Sequence, residues 1–237
     1  PSCGNDHAAL VARLVAACGN DASAVATDSD SLESASKDSS FHEPCWPCAV
    51  VRPTSVEQVA RVVRECVQLR IPMTPRGAGT GVEGGAIPYG GGVVISTEKL
   101  RSFELREDEM LAIVGAGLYK DELNRLLKPS GLLFGPDPSS NPTLGGMAST
   151  GGSGMTTLRY GTTKENVLSL LIVTPQGEII RTRRPVRKSS SGYELTQLYL
   201  GSEGTLGIIC EVTVRLRRLP PLRSGGMLPF PDVRSAD

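Results

Sequence analysis

The sequence has little of several features that indicate particular functions. Lys plus Arg and Asp plus Glu number 25 each, so no net charge favours nucleic acid or an anionic membrane. Aromatic residues make up 4% of the chain, and no apolar run is long enough to span a bilayer. The two histidines, His7 and His42, lie in no motif. We therefore predict no nucleic-acid partner.

Cysteine is also scarce for a chain of 237 residues, and six cysteines are too few to suggest a disulfide framework. Only Cys45-Trp-Pro-Cys48 forms a motif. A thioredoxin-like pair opens a helix, whereas this pair is surrounded by prolines and is followed by AVVRP, which predicts a strand. No second pair completes a zinc site, and His42 alone would leave such a site open. We predict neither redox chemistry nor a metal here.

Hydrophobic periodicity predicts short helices and strands in no regular alternation. Three helices are predicted. The first covers residues 7–18, the second begins at a Thr54–Glu57 capping box and ends just before Pro72, and the third covers residues 119–128. Strands are predicted for AVVRP, IPMTPR, GGVVIS, MLAIVGAG and GIICEVTVRL, and a β-hairpin for VLSLLIVTPQGEIIRT. The polar stretch of residues 21–40 either forms a loop or packs against the main body. This mixture argues for an α+β fold rather than a doubly wound sheet.

Glycine is abundant, with 27 residues, and it clusters in three loops. These loops are PRGAGTGVEGG (75–85), GPDPSSNPTLGGMASTGGSG (135–154) and LGSEGTLGII (200–209). Glycine lets a ligand lie directly against main-chain amides, and small hydroxyl side chains in the second loop add donors. Each loop alone is adequately explained as a tight turn. Together the three loops predict one site for a long, phosphate-bearing ligand.

Three kinds of phosphate-binding structure compete for the first loop. A Walker A loop requires Gly-Lys-Ser or Gly-Lys-Thr, and the sequence contains neither. A dinucleotide fingerprint fits Gly79, Gly81 and Gly84, but it should open a helix, which Pro88 and the glycines after it prevent. The third possibility is an anion-binding nest of successive amide N–H groups between two strands. We favour the nest.

Four segments in fixed order carry a specific resemblance: PRGAGTGVEGG, DPSSNPTLGGMAST, RYGTTKENVL and VRKSSSGYELTQLYLGSEGTLGI. They resemble the FAD-binding domain of the vanillyl-alcohol oxidase and p-cresol methylhydroxylase superfamily. Within it they are most similar to the cytochrome-linked mitochondrial D-lactate dehydrogenases and the glycolate oxidase subunits. The resemblance runs from about Pro44 to Leu219. It implies an α+β FAD-binding domain of the p-cresol methylhydroxylase type, with FAD between two α+β subdomains.

Carried over residue by residue, the resemblance assigns the first loop to the pyrophosphate and the later loops to the middle and the flavin end of FAD. The implied cofactor-binding residues are Arg76, Gly77, Ala78, Gly79, Thr80, Gly81, Pro138, Ser139, Thr143, Gly145, Gly146, Thr150, Ser153, Gly154, Gly204 and Ile209. Gly151-Gly152 stands where the family usually has Asn-Ala, so one side-chain contact to the flavin is expected to be missing. The first loop offers Thr80 but no His or Cys, so we expect FAD to be bound non-covalently.

The resemblance also divides the chain into three parts. Residues 1–43 form an N-terminal helix and polar segment, residues 44–219 the FAD-binding domain, and residues 220–237 the truncated start of a substrate or cap domain. In the family this further domain carries the histidine-rich metal and catalytic motif. We therefore expect no catalytic residue and no metal ligand in this chain, and we expect the chain alone to be inactive.

The implied activity is oxidation of D-lactate to pyruvate, with electrons passed to cytochrome c in the mitochondrion. A D-2-hydroxyglutarate or glycolate dehydrogenase of the same family stays open as an alternative, as does a non-catalytic FAD-binding scaffold protein. Residues Pro1–Asp6 carry no targeting pattern. We expect that a targeting segment was removed or that the sequence begins inside a longer gene.

Overall fold

The computed structural model describes residues 7–184, 186, 190–222 and 224–236, so Cys3 and residues 187–189 of the fourth quoted segment lie outside the described residues. The α-helices of this part are α1 His7–Ala17, α2 Ser29–Ala35, α3 Val56–Gln68, α4 Lys120–Leu127, α5 Leu144–Thr150, α6 Thr157–Tyr160, α7 Thr163–Asn166 and α8 Leu195–Tyr199. The strands are β1 Val25–Ala26, β2 Ala49–Val51, β3 Met73–Arg76, β4 Val93–Ser96, β5 Phe103–Arg106, β6 Leu111–Gly115, β7 Leu132–Leu133, β8 Val167–Val173, β9 Ile179–Arg181, β10 Ile208–Arg215 and β11 Arg217–Arg218. Short 3₁₀ turns occupy Ala22–Ala24, Lys128–Ser130 and Val233–Ala236.

The strands form two main sheets. The first has the order β1-β2-β4-β3, with β2, β4 and β3 parallel and β1 antiparallel to β2. The second has the order β5-β6-β10-β8-β9 and is antiparallel throughout. A small third sheet pairs β7 with β11. A doubly wound fold has one largely parallel sheet, so the α+β prediction is confirmed.

Helix α3 begins one residue later than its predicted capping box. Ser55 is the N-cap, and its side chain accepts a hydrogen bond from the Gln58 amide at 3.3 Å. The Gln58 side chain in turn accepts from the Thr54 amide at 2.7 Å. The predicted Thr54–Glu57 box is therefore wrong by one position, because Thr-x-x-Glu and Ser-x-x-Gln overlap here and both fit the capping pattern.

The predicted hairpin is confirmed, with β8 and β9 paired antiparallel around a turn that contains Gly177 in the left-handed region (φ +81°). Strand β10, expected to be half-buried, is buried at every position except Glu211 and Arg215. The reason is that both of its faces meet apolar side chains. Cys210 belongs to a core shared with the first sheet, and Val212 to the core of the second sheet.

Each main sheet has its own hydrophobic core. Helices α1 and α3 cover the first sheet with residues such as Leu14 and Val63, and helices α4 and α5 cover the second with Leu123 and Met147. At about 0.8 kcal/mol per buried methylene, these two cores supply most of the driving force for folding. The boundary between them, where β3 ends and β10 begins, positions the site described below.

The polar stretch of residues 21–40 packs against the main body, which is the second of the two possibilities left open by the sequence. Strand β1 pairs with β2 and forms one edge of the first sheet, and Asp28 caps helix α2 by accepting from the Ser31 amide at 2.9 Å. Apolar periodicity did not reveal these elements, because only a few small residues of the stretch are buried, such as Ala24 and Ala35. Hydrogen bonds and a small apolar cluster of Ala35 with Val50 and Val94 together fix its position.

Candidate functional site

The three glycine loops meet around one cavity of about 330 Å³, a size in the usual range for small-molecule sites. The first loop follows β3, the second includes helix α5, and the third connects α8 with β10. The cavity thus lies at the boundary between the two cores. The convergence that the sequence predicted from three separate loops is present in the fold.

All but three of the predicted cofactor-binding residues line this cavity. The exceptions are Ser139, Ser153 and Gly154, which are absent from the lining. Ser139 and Ser153 are exposed. A Cβ at Gly154 would overlap the Asp137 backbone, so this glycine is explained by the packing of two chain segments. The role of the lining residues in holding FAD stays a prediction.

The first and second loops touch through Gly77 and Thr143. A Cβ on Gly77 would overlap the Thr143 hydroxyl, so the two loops approach more closely than any other residue would permit. Thr143 is fully buried and caps helix α5, its hydroxyl accepting from the Gly146 amide at 3.2 Å. The Gly145 amide donates to the Ala116 carbonyl at 2.9 Å and anchors the same turn to the loop after β6.

The third loop closes onto the other two through its backbone. The Glu203 amide donates to the Ser149 carbonyl at 2.9 Å, and Gly204 lies directly against the Pro75 ring. Glu203 adopts φ +51°, which is uncommon for a residue with a side chain. Backbone strain of this kind is concentrated at functional sites, and Glu203 lines the cavity.

Arg76 is the cation of the first loop, and its side chain is largely held by the protein itself. Its guanidinium donates to the Ser34 carbonyl at 2.9 Å and to the Ala86 carbonyl at 3.4 Å. Burial lowers the pKa of Arg76 from its ordinary value, and the carboxylates of Asp38 and Glu98 partly oppose that shift. Arginine stays protonated in proteins, so the guanidinium brings positive charge to the cavity wall.

Several lining residues were missed by sequence reasoning. The most informative are Glu83, Met147, Gly152, Glu203 and Ile208. All of them lie within the three glycine loops, so the glycine segments themselves were the available signal. Their individual contacts depend on how the loops fold over one another, and spacing along the chain does not reveal that.

Lys120 supports the second loop from beneath. Its side chain is only 6% exposed, and its ammonium group contacts the Asp137 carboxylate at 2.8 Å, the Asp121 carboxylate at 3.2 Å and the Pro138 carbonyl at 3.0 Å. Burial lowers the pKa of Lys120, the hydrogen bonds to Asp137 and Asp121 raise it, and the net direction is upward. The lysine is therefore charged at neutral pH and fixes Pro138 at the cavity wall.

Among the residues that the structure describes, no cysteine or histidine lines the cavity. Cys45 is free, whereas Cys48 is disulfide-bonded, so the Cys-x-x-Cys pair is not bonded to itself. Burial raises the pKa of both the Cys66 and the Cys210 thiols to about 12, which keeps them protonated and unreactive.

Across the described residues no three His, Cys, Asp or Glu side chains are grouped to hold a metal ion. Within the same ranges, no helix has the length and apolarity to cross a membrane.

A cavity with a glycine-rich wall, small hydroxyl groups and one fixed guanidinium has the features of a site for an extended, phosphate-bearing ligand. The family model described as the FAD binding domain matches residues 47–183. The chain therefore belongs to the FAD binding domain family of the p-cresol methylhydroxylase type.

Curated relatives extend this similarity. The chain is 42% identical over 205 residues to a probable mitochondrial D-lactate dehydrogenase of Danio rerio, covering 84% of this chain and 41% of the relative. It is 39% identical to a mitochondrial D-lactate dehydrogenase [cytochrome] of Arabidopsis thaliana, covering 83% of this chain and 35% of the relative. The chain thus spans about two fifths of the length of these relatives.

Among solved structures, an alkyldihydroxyacetonephosphate synthase is similar to this chain with a TM-score of 0.76 and 26% sequence identity. The similarity covers 84% of this chain and 39% of the synthase. The shared part of the fold is therefore a module that occurs within longer enzymes.

Proposed function

We propose that the chain binds FAD in the cavity between its three glycine loops, with the pyrophosphate on the first loop. The observation that carries the proposal is that residues assigned to an FAD site from the sequence resemblance lie around one cavity. Arg76, Thr143 and Gly204 are examples. The residues fit the cofactor because the wall is bare backbone where the loops meet. Gly77, Gly79 and Gly81 line the cavity and present no side chain to a ligand.

The chain's own residues bind and orient the cofactor in this proposal. The Arg76 guanidinium offsets phosphate charge, and the amides of the first loop offer donors that need no side chain. Thr150, whose hydroxyl donates to the Gly146 carbonyl at 3.0 Å, stands at the end of α5 assigned to the flavin. Bound FAD would supply the hydride acceptor of the reaction.

We further propose that the chain is the FAD-binding portion of a flavin-dependent 2-hydroxy-acid dehydrogenase that oxidises D-lactate to pyruvate. The names of the relatives from Danio rerio and Arabidopsis thaliana favour D-lactate and a mitochondrial location, and the second name favours cytochrome c as the electron acceptor. A glycolate oxidase subunit of Bacillus subtilis is 35% identical, and a D-2-hydroxyglutarate dehydrogenase of Stutzerimonas stutzeri is 33% identical. Glycolate and D-2-hydroxyglutarate are therefore the alternative substrates.

The substrate-binding and proton-transferring groups are proposed to lie in a further domain of the same polypeptide. Two observations support this division of labour. The relatives are more than twice as long as the matched region, and the cavity lining contains no histidine in the described part of the chain. On this proposal residues 44–219 are the FAD-binding domain, preceded by the N-terminal helix and polar segment and followed by the start of the substrate domain.

Titration of the apo-protein with FAD tests the cofactor assignment. We expect saturable binding followed by flavin fluorescence, with FMN binding at least about tenfold more weakly, because FMN lacks the pyrophosphate that the first loop is proposed to hold. ADP, which carries the pyrophosphate without the flavin, should compete with FAD. Equal affinities for FMN and FAD, or no competition by ADP, would contradict the assignment of the first loop.

Acid precipitation tests the mode of attachment. We expect trichloroacetic acid to release all of the flavin into the supernatant, because the cavity lining offers no His or Cys within the described ranges to form a covalent bond. The measurement is the absorbance of supernatant and pellet after one precipitation step. Yellow colour that stays in the pellet after washing would show that the flavin is covalently attached.

A further inference from the structure

The first glycine loop is contacted by a segment far upstream in the sequence. Residues 34–45, which we name the brace, run from the end of helix α2 to just before the region matched by the family model at residue 47. The Ser39 amide donates to the Gly81 carbonyl at 3.0 Å, and the Ser39 hydroxyl lies 3.4 Å from the Gly79 carbonyl. One serine therefore contacts two backbone groups of the first loop.

The brace also holds the cation of the cavity. The Arg76 guanidinium donates to the Ser34 carbonyl at 2.9 Å. Asp38, whose Oδ1 accepts from the Ser40 amide at 2.9 Å, is close enough to favour the protonated form of Arg76. The direction in which Arg76 presents its charge is thus set partly by the brace.

A further contact fixes the far end of the first loop. Gly84 lies directly against the His42 ring and the Tyr89 hydroxyl, and the two rings meet edge to face with centroids 6.2 Å apart. The Cys45 amide donates to the Ser36 carbonyl at 2.9 Å and closes the brace on itself. The brace therefore contacts the first loop at its start, its middle and its end.

A glycine-rich loop loses more conformational entropy on ordering than any other kind of segment. If the loop were free, binding would have to order it. The apparent affinity would then equal the intrinsic affinity multiplied by the fraction of molecules whose loop is already ordered. Contacts that order the loop before the ligand arrives remove that loss. Ser34 and Ser39 belong to neither of the two large cores, so their contacts with the loop are separable from the folding of the main sheets.

We infer that the brace is a positioning element of the cofactor site, in which Ser39 and the Ser34 carbonyl hold the first loop and Arg76 in the conformation that accepts the cofactor pyrophosphate. The inference rests on the proposed function, since it concerns the same cavity. It extends the functional site to residues that the family model does not include.

The test replaces Ser39 by proline, which removes the amide donor to Gly81 without altering the first loop itself. We expect Ser39→Pro to weaken FAD and ADP binding by the same factor, about tenfold to a hundredfold. The matched control is Ser29→Pro, which makes the same change at the first position of helix α2, where proline is tolerated. Ser29→Pro should leave both affinities within about twofold of the wild-type chain.

A milder pair of variants tests the same contact if Ser39→Pro does not fold. Ser39→Ala removes only the hydroxyl contact and should weaken FAD binding about threefold, whereas Ser39→Thr keeps the hydroxyl and should restore affinity. Hydrogen exchange of the apo-protein should show faster exchange of residues 77–85 in Ser39→Ala than in Ser39→Thr. Faster exchange there would locate the effect in the loop rather than in overall stability.

The outcomes separate the two proposals. If the wild-type chain fails to bind FAD, the proposed function is wrong and the inference falls with it. If the wild-type chain binds FAD and Ser39→Pro binds it as tightly as Ser29→Pro does, the inference alone is wrong. A loss of FAD affinity without a loss of ADP affinity would also overturn it, because the brace would then act away from the pyrophosphate.

Discussion

Gly79→Val is expected to lose FAD binding, with the dissociation constant raised at least about a hundredfold. Gly79 lines the cavity and has φ +69°, a conformation that a β-branched residue adopts only with strain. The new Cβ would also overlap the Arg76 guanidinium and move it out of its hydrogen bonds. The variant therefore disturbs both the backbone and the charge that are proposed to bind the pyrophosphate. Titration with FAD measures the loss.

A control separates backbone strain from damage to the site. Gly131 has a similar conformation, φ +64°, but a Cβ there meets no atom within 4 Å, and Gly131 does not line the cavity. Gly131→Val should lower the thermal stability through backbone strain alone and leave FAD affinity within about twofold of the wild-type chain. Flavin occupancy of Gly79→Val equal to that of Gly131→Val would mean that the first loop is only a turn.

The second large effect concerns catalysis: the FAD-loaded chain alone is expected not to turn over D-lactate. Oxidation requires the substrate Cα–H to be held against the flavin while a base removes the hydroxyl proton. Orientation supplies roughly 7–11 kcal/mol of barrier reduction, and a general base roughly a further 10²–10⁴-fold in rate. Neither histidine lines the cavity, since the His7 ring hydrogen-bonds the Cys48 carbonyl at 3.0 Å and the His42 ring lies against Gly84 and Tyr89.

The measurement is reduction of a dye acceptor by D-lactate, with the full-length Danio rerio relative assayed in parallel. We expect the rate of the chain to be at least about 10³-fold lower than that of the relative. Dithionite should reduce the flavin bound to the chain, which would show that the flavin is redox-active. A rate within tenfold of the relative would place the catalytic groups in this chain and contradict the proposed division of labour. Glycolate and D-2-hydroxyglutarate, assayed with a polypeptide that also carries the proposed substrate domain, would distinguish the alternative substrates.

Much of the cavity wall was predictable from the sequence because close approach between loops, and backbone with positive φ, constrain residue type locally. Gly77, Gly79 and Gly204 each occupy a position where a side chain would meet a neighbouring residue or a strained backbone. Such requirements leave glycines in fixed order along the chain. The helices and strands with clear apolar periodicity, α3 and the β8–β9 hairpin among them, were predictable for a related reason, since a regular element repeats its buried positions at a fixed spacing.

What the sequence by itself determined is therefore the family, the α+β class and the three loops, because each is recorded in residues close together in the chain. Only the tertiary structure decided that Ser39 contacts Gly79 and Gly81, that Lys120 fixes Pro138 and that Glu203 lines the cavity. Those contacts join backbone groups and single polar side chains that are far apart in sequence. A backbone carbonyl can accept from any amide or hydroxyl that the fold brings near, so such a contact imposes no residue pattern at either end.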